Sequence, residues 1–145
     1  MAHPTLRRGR GRVALARLTV DGMSDKVRFS SVTMACPNPA ELAAFYAGLT
    51  GGEVTFVHGS EWATVRCDGV KLEFMGVMDY RPPSWPEDPS LVHIDFWVDD
   101  LVDAAARAES SGGRRFEHQP NAAHCLVFAD PVGHPFCLSL IDDVG

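Results

Sequence analysis

The feature of this sequence that most constrains its fold is an internal repeat. When the first half is displaced by 62 positions, Asn38 falls on Asp100 and Gly51 falls on Gly113. Both halves also have the same predicted order of elements, which is a strand, a helix and then three strands. The repeat therefore predicts an α+β fold built from two βαβββ modules.

The hydrophobic pattern of the first half defines its elements. We predict a strand at 27–35, a helix at 39–49 and strands at 53–57, 62–67 and 70–77. Asn38 followed by Glu41 has the spacing of a capping box at the start of the helix. The Asp68–Gly69 pair is a strong signal for a two-residue hairpin between the last two strands.

The second half repeats this order after a proline-rich segment without periodicity. We predict a strand at 91–98, a helix at 101–110 and strands at 115–118, 124–129 and 135–141. The proline-rich segment 79–90 reads as a connector. The expected domain spans 27–141, with module one at 27–78 and module two at 91–141.

Residues 1–26 lack a sustained apolar period and contain five arginines. A basic arm for nucleic acid is one interpretation, but no aromatic residue is interleaved with the arginines. We expect instead a disordered extension, or a mis-assigned start ahead of a true first residue at Met23. The expected structure of the domain does not depend on this segment.

Charge and cysteine spacing limit the partners and the compartment. The formal net charge is −6, which argues against nucleic acid or an anionic membrane as partner of the folded body. No run approaches the ~20 apolar residues that a membrane span needs. The four cysteines are far apart and form no Cys-x-x-Cys pair, which is typical of reduced thiols in the cytosol.

Three segments carry a resemblance to a known family. They are PAELAAFY at 39–46, LVHIDFWVDDL at 91–101 and DPVGHPFCL at 130–138. In this order and spacing, the sequence resembles the glyoxalase-like proteins of the vicinal oxygen chelate superfamily. The resemblance implies paired βαβββ modules whose mixed sheet forms one cup-shaped site for a small molecule. It also implies a homodimer, because family members commonly pair or swap modules.

The resemblance also implies where a metal would be held. Metal enzymes of this family place one ligand on the first and fourth strand of each module, which here gives Ser31, Glu73, His93 and Cys137. Glu73 and His93 match the usual ligands, whereas a serine hydroxyl is a poor ligand and a thiolate favours zinc. Glu73, His93 and Cys137 could form a three-ligand zinc site, but we predict no metal and no other cofactor.

Strand alternation separates the side chains that face the helices from those that face the expected cup. The helix-facing parity is apolar, whereas the other parity mixes polar and apolar groups, as a small-molecule pocket does. The predicted ligand-binding residues are Ser31, Thr33, Glu73, His93, Asp95, Trp97 and Cys137. Within this set, Glu73 and His93 are the candidate proton-transfer residues. A purely structural hydrogen-bonded cluster is the alternative for the same groups.

Two functions are compatible with this pattern. One is an enzyme of lyase or isomerase type that acts on a carbonyl-containing molecule. The other is a non-catalytic protein that sequesters a small molecule, as antibiotic-resistance members of the family do. A structural dimerisation module is a third class. In the connector, Tyr80, Arg81 and Trp85 either form a lid or pack the loop onto the body, and we expect His118 and His134 to be surface groups.

Overall fold

A computed structural model describes residues 27–88 and 92–141. The first module contains β1 (Val32–Cys36), α1 (Pro39–Thr50), β2 (Glu53–His58), β3 (Trp62–Cys67) and β4 (Val70–Gly76). The second contains β5 (Ile94–Val98), α2 (Leu101–Ser111), β6 (Arg114–Arg115), β7 (Cys125–Ala129) and β8 (Pro135–Leu140). The expectation for residues 1–26 lies outside the described residues. No helix in the described part of the chain is long and apolar enough to cross a membrane.

The strands form two four-stranded mixed sheets with the same topology. Their orders are β1-β4-β3-β2 and β5-β8-β7-β6. The first strand of each module pairs in parallel with its last strand, and the other pairings are antiparallel. The predicted α+β fold of two βαβββ modules is confirmed.

Both helices begin after residues that the repeat aligns and end at a glycine, although the second ends at Gly112, one residue before the position that the repeat aligns with Gly51. Asn38 and Asp100 accept hydrogen bonds from the backbone N–H three residues further along the chain. Gly51 and Gly112 then terminate the helices with φ values of 73° and 113°, where a side chain would be strained. The predicted caps and glycine stops are therefore confirmed.

The helix-facing sides of both sheets contribute to one hydrophobic core. Tyr46 on α1 stacks on Phe74 of its own module at 5.6 Å between ring centroids. It also contacts Phe96 and Phe136 of the second module, at 6.2 and 6.1 Å. The predicted apolar parity is confirmed, because Phe74, Phe136 and Leu138 are buried. Burial of such aromatic and aliphatic side chains stabilises each module against the other.

Three predicted strands differ clearly from the structure, and one of them is β5, which begins at Ile94 and not at 91. The first strand begins at Val32, and the side chains of Val27 and Phe29 are exposed. The strand predicted at 115–118 is wrong, since β6 ends at Arg115. Beyond it the Gln119 amide hydrogen-bonds both the N–H and the C=O of Val127, each at 2.8 Å. A side chain thus takes the place of a paired strand next to β7.

The described part of the connector packs on the second module. The Tyr80 hydroxyl donates to the Val132 carbonyl oxygen at 2.7 Å. The Trp85 ring lies 4.8 Å from the ring of Phe116 and 5.5 Å from that of His118, measured between centroids. These contacts favour the packing role for Tyr80 and Trp85, and Arg81 is exposed.

Candidate functional site

The predicted site residues lie on the sides of the two sheets that face away from the core, here called the outward faces. Thr33, His93 and Asp95 are exposed, and the indole of Trp97 is 63% exposed. Cys137 lies deeper, with 7% of its surface exposed. The polar side chains that strand alternation assigns to one side of each sheet therefore lie on the side away from the core, as expected.

Three of the predicted residues come together on the outward face of module two. The parallel register of β5 and β8 places Asp95 opposite Cys137, and His93 precedes Asp95 by two positions on the same face. His93 Nε2 lies 3.3 Å from Asp95 Oδ1. The candidate ligand atoms of His93, Asp95 and Cys137 all lie within 4.8 Å of one another.

The Cys137 thiol holds its proton tightly. Burial, followed by the charge of Asp95 and the neighbouring Cys125, raises its pKa from 9.0 to about 12. A thiol of this kind is protonated at neutral pH and is a poor nucleophile. In this cluster Cys137 is therefore suited to donate a hydrogen bond.

The module-one residues form a separate group on their own outward face. The Ser31 hydroxyl donates to Glu73 Oε2 at 3.3 Å. Lys71 Nζ lies 3.2 Å from Glu73 Oε1, and Thr33 is opposite Glu73 in the parallel register of β1 and β4. Both carboxylate oxygens of Glu73 therefore already have partners.

The full metal quartet implied by the resemblance does not fit these residues. Ser31 and Glu73 contact each other, whereas His93 and Cys137 are grouped with Asp95. Within residues 27–88 and 92–141, one group of three or more His, Cys, Asp or Glu side chains has converging ligand atoms, and it consists of His93, Asp95 and Cys137. Three ligands are enough for an open zinc site. Cys137 must lose its proton to bind zinc, however, and its raised pKa opposes that loss.

A buried hydrogen-bonded network, which the sequence analysis missed, surrounds Asp130 in the turn between β7 and β8. Asp130 Oδ2 accepts from the Tyr46 hydroxyl and contacts His134 Nδ1, both at 2.7 Å. His134 Nε2 lies 3.3 Å from the Tyr80 hydroxyl. The expectation that His134 is a surface group is wrong, because its side chain is only 17% exposed.

The network favours protonated tyrosines. Burial, and then the charge of Asp130, raises the pKa of Tyr46 well above its usual value and that of Tyr80 to about 12. The network ties α1 of module one to the turn and the connector. The available sequence signal was the DPVGH segment, whose Asp130 Oδ1 accepts from the backbone N–H groups of Val132 and His134.

Comparison with known proteins places these observations in context. A family model described as a glyoxalase-like domain matches residues 31–139. The sequence matches no curated protein at a significant level. The similar solved structures are 12–16% identical, so they establish the fold alone.

Three of those structures illustrate the likeness. The fosfomycin resistance protein FosX from Mesorhizobium loti is 16% identical with a TM-score of 0.61, covering 79% of this chain and 91% of its own. FosX from Listeria monocytogenes is 15% identical with a TM-score of 0.62, covering 79% and 93%. A glyoxalase-related enzyme from Fulvimarina pelagi is 16% identical with a TM-score of 0.59, covering 81% and 90%.

Proposed function

The chain belongs to the glyoxalase-like domain family, and from this premise we propose that it binds a small, partly apolar organic molecule on its outward faces. The observation that carries the proposal is the cluster of Asp95 on β5, Cys137 on β8 and His93 just before β5, beside the exposed Trp97 of the same strand. A few converging polar groups beside an aromatic surface can orient a largely apolar ligand. The remaining proposed ligand contacts are Ser31, Thr33 and Glu73.

We assign proton transfer to His93. Its contact with Asp95 holds the imidazole in one orientation and stabilises the imidazolium that forms when the ring takes a proton. With a ligand carbonyl beside it, the neutral ring accepts the proton from the adjacent carbon, and the C–H electron pair moves towards the carbonyl oxygen. This proton abstraction is the first step of lyase-type and isomerase-type chemistry.

Glu73 is the second proposed proton-transfer residue, and its surroundings favour a binding role. Ser31 and Lys71 occupy both of its oxygens. A carboxylate held in this way presents a fixed negative charge with an adjacent ammonium group, which suits the recognition of a polar ligand group. His93 is therefore the stronger candidate for the base.

Sequestration without catalysis is the second candidate function. The observation that favours it is the Cys137 thiol, whose raised pKa keeps it protonated and makes it a poor metal ligand. The four family positions therefore do not supply the ligand set that metal enzymes of the family use. Two of the similar structures are named as fosfomycin resistance proteins. Fosfomycin is therefore a reasonable probe alongside small carbonyl compounds.

The two functions can be distinguished by measuring binding and turnover in parallel. The full chain is screened against fosfomycin and a panel of small carbonyl compounds by thermal shift, and each hit is incubated and analysed by mass spectrometry. We expect His93→Ala to weaken binding of a hit about tenfold, since a polar contact to the ligand is lost. Conversion of a hit identifies an enzyme, whereas binding without conversion identifies sequestration.

The matched control is His58→Ala, which removes an exposed histidine on β2 that pairs with Glu61. This variant should bind the hit as the unmodified chain does. Equal affinity in His93→Ala and the unmodified chain would show that the outward face of module two is not the site.

We also propose that the chain forms a homodimer. All six residues of the edge strand β2 are exposed, including the apolar side chains of Val54, Phe56 and Val57. An exposed apolar edge strand is a ready surface for pairing with a second copy. The four free thiols support our proposal of a reducing, cytosolic location.

A further inference from the structure

A cleft of about 500 Å³ lies between the two modules and has Asp95 in common with the cluster on module two. Its walls are the C-terminal end of α1, the β3–β4 turn, strand β5 and the facing side of α2. All five residues of β5 line it, from both faces of the strand, so the cleft runs along the edge of β5 that pairs with no other strand. Ser31, Glu73, His93 and Cys137 do not line it.

The floor of the cleft is apolar. It is formed by Leu49, Leu72, Ile94, Phe96 and Leu138. A volume of this size lies within the range of sites that hold small organic molecules, roughly 300–1,000 Å³. The floor would therefore bury the hydrocarbon part of such a molecule and gain free energy from it.

The charged side chains of the cleft are not equivalent. Arg107 donates from Nε to the carbonyl oxygen of Gly48 at 3.3 Å, in the last turn of α1. That helix has no basic residue of its own in its last turn, so the guanidinium complements the helix C-terminus. One N–H of this cation is thus held by the protein, and its charge is partly offset by the partial negative charge of the helix end.

The remaining rim is negative and aromatic. Asp68 is exposed in the β3–β4 turn and makes no ion pair within residues 27–88 and 92–141. Among the residues that the structure describes, His93 is the only ionic partner of Asp95. Trp97, whose indole is largely exposed, lies two residues further along β5. Two carboxylates and an indole attract a ligand cation and repel an anion.

From this arrangement we propose that the cleft is a second binding site, for a small apolar molecule that carries an amine. The hydrocarbon part lies on the floor, and the ammonium group lies at the rim between Asp68 and Trp97. The net charge of −6 on the chain favours approach of the same class of ligand. The site shares Asp95 and Trp97 with the proposed outward-face site, and Asp68 and the inter-module floor distinguish it.

The test compares three probes that share one hydrocarbon part, namely 3-phenylpropylamine, 3-phenylpropan-1-ol and 3-phenylpropionate. Binding to the full chain is measured by calorimetry and by backbone NMR shifts at pH 7. We expect the amine to bind about tenfold more tightly than the alcohol, and the carboxylate to bind most weakly. Asp68→Asn should lower the amine affinity about fivefold and leave the alcohol affinity unchanged.

Two further variants locate the site. Ala104→Phe places a ring in the cleft from α2 and should abolish binding of all three probes. Asp103→Asn removes an exposed carboxylate that does not line the cleft, and it should leave the affinity for all three probes unchanged. His93→Ala should retain amine binding even if it loses the ligand of the outward face. A carboxylate that binds as well as the amine, or amine binding that survives Ala104→Phe in a folded chain, would overturn the proposal.

Discussion

At the scale of single residues, Asp130 is the most fully satisfied charge in the described structure. It is 3% exposed and is held by the Tyr46 hydroxyl, the His134 ring and two backbone N–H groups. A buried carboxylate is costly unless it is hydrogen-bonded in this way. Its partners come from α1 of module one and from its own turn in module two, so loss of any one of them should lower the stability of both modules.

We therefore predict that Tyr46→Phe destabilises the chain. The change keeps the ring stacking and removes one donor to a buried carboxylate, which costs about 1–3 kcal/mol of unfolding free energy. Urea denaturation measures the loss. Tyr80→Phe is the matched control and should cost less, because Tyr80 does not contact Asp130 directly. Equal stability of Tyr46→Phe and the unmodified chain would contradict this account.

The raised pKa of Cys137 predicts both its reactivity and a pH dependence of stability. The folded chain keeps this proton to about pH 12, whereas the unfolded chain releases it from about pH 9. The corresponding stabilisation is complete below pH 9 and is lost as the pH rises from 9 to 12. At pH 8, iodoacetamide should label native Cys137 far more slowly than the same residue in urea, as measured by peptide mass spectrometry. Equal labelling rates would contradict the prediction.

At the scale of elements, the sequence predicts local periodicity well and pairing poorly. The helices, their caps and the parity of β4, β5 and β8 follow from spacing within one segment. The contact of Asp95 with Cys137 instead depends on the parallel register of two strands about 40 residues apart. The network around Asp130 and the amide of Gln119 also depends on partners outside their own segments, which local patterns cannot reveal.

Gln119 offers a direct test of a side chain that replaces a strand. Gln119→Ala should expose the N–H of Val127, because no other partner of that group remains at the edge of β7. We expect about 1–2 kcal/mol of lost stability and faster hydrogen exchange at Val127. Glu117→Ala, which changes an exposed neighbour, is the control. Unchanged exchange at Val127 in Gln119→Ala would show that the amide is dispensable.

Strand β5 and His93, which precedes it, allow both sides of the second sheet to be tested. Phe96→Ala opens a cavity against Tyr46 and Phe136 and should cost on the order of 3 kcal/mol. His93→Ala lies on the outward face and should cost about 1 kcal/mol or less. Chemical denaturation of both variants provides the comparison. A larger loss in His93→Ala than in Phe96→Ala would mean that the faces are assigned the wrong way round.

At the scale of the whole molecule, the helix-facing sides of the two modules share one core. The β2 edge is an exposed apolar surface of module one, with Phe56 52% exposed. An association of two copies through this region would bury it. Nothing in the local pattern of 53–58 predicted this degree of exposure, because a strand next to a helix is usually half-buried.

We predict that light scattering gives a mass of twice 15.8 kDa for the full chain. Phe56→Lys should shift the mass towards the single chain, because it places a charge on the proposed interface. Val102→Lys is the control, since Val102 is also exposed but lies on α2. A single-chain mass at high concentration would refute the dimer, and a dimer that persists in Phe56→Lys would place its interface elsewhere.

The shared core also has an evolutionary consequence. Substitutions at exposed positions on the side of each sheet opposite the core change stability little. The two copies of a duplicated module were therefore free to diverge there while the caps and core stayed matched. One copy now carries Ser31 and Glu73, and the other carries His93 and Cys137 at the corresponding positions. New chemistry can arise on this scaffold at almost no cost to its ability to fold.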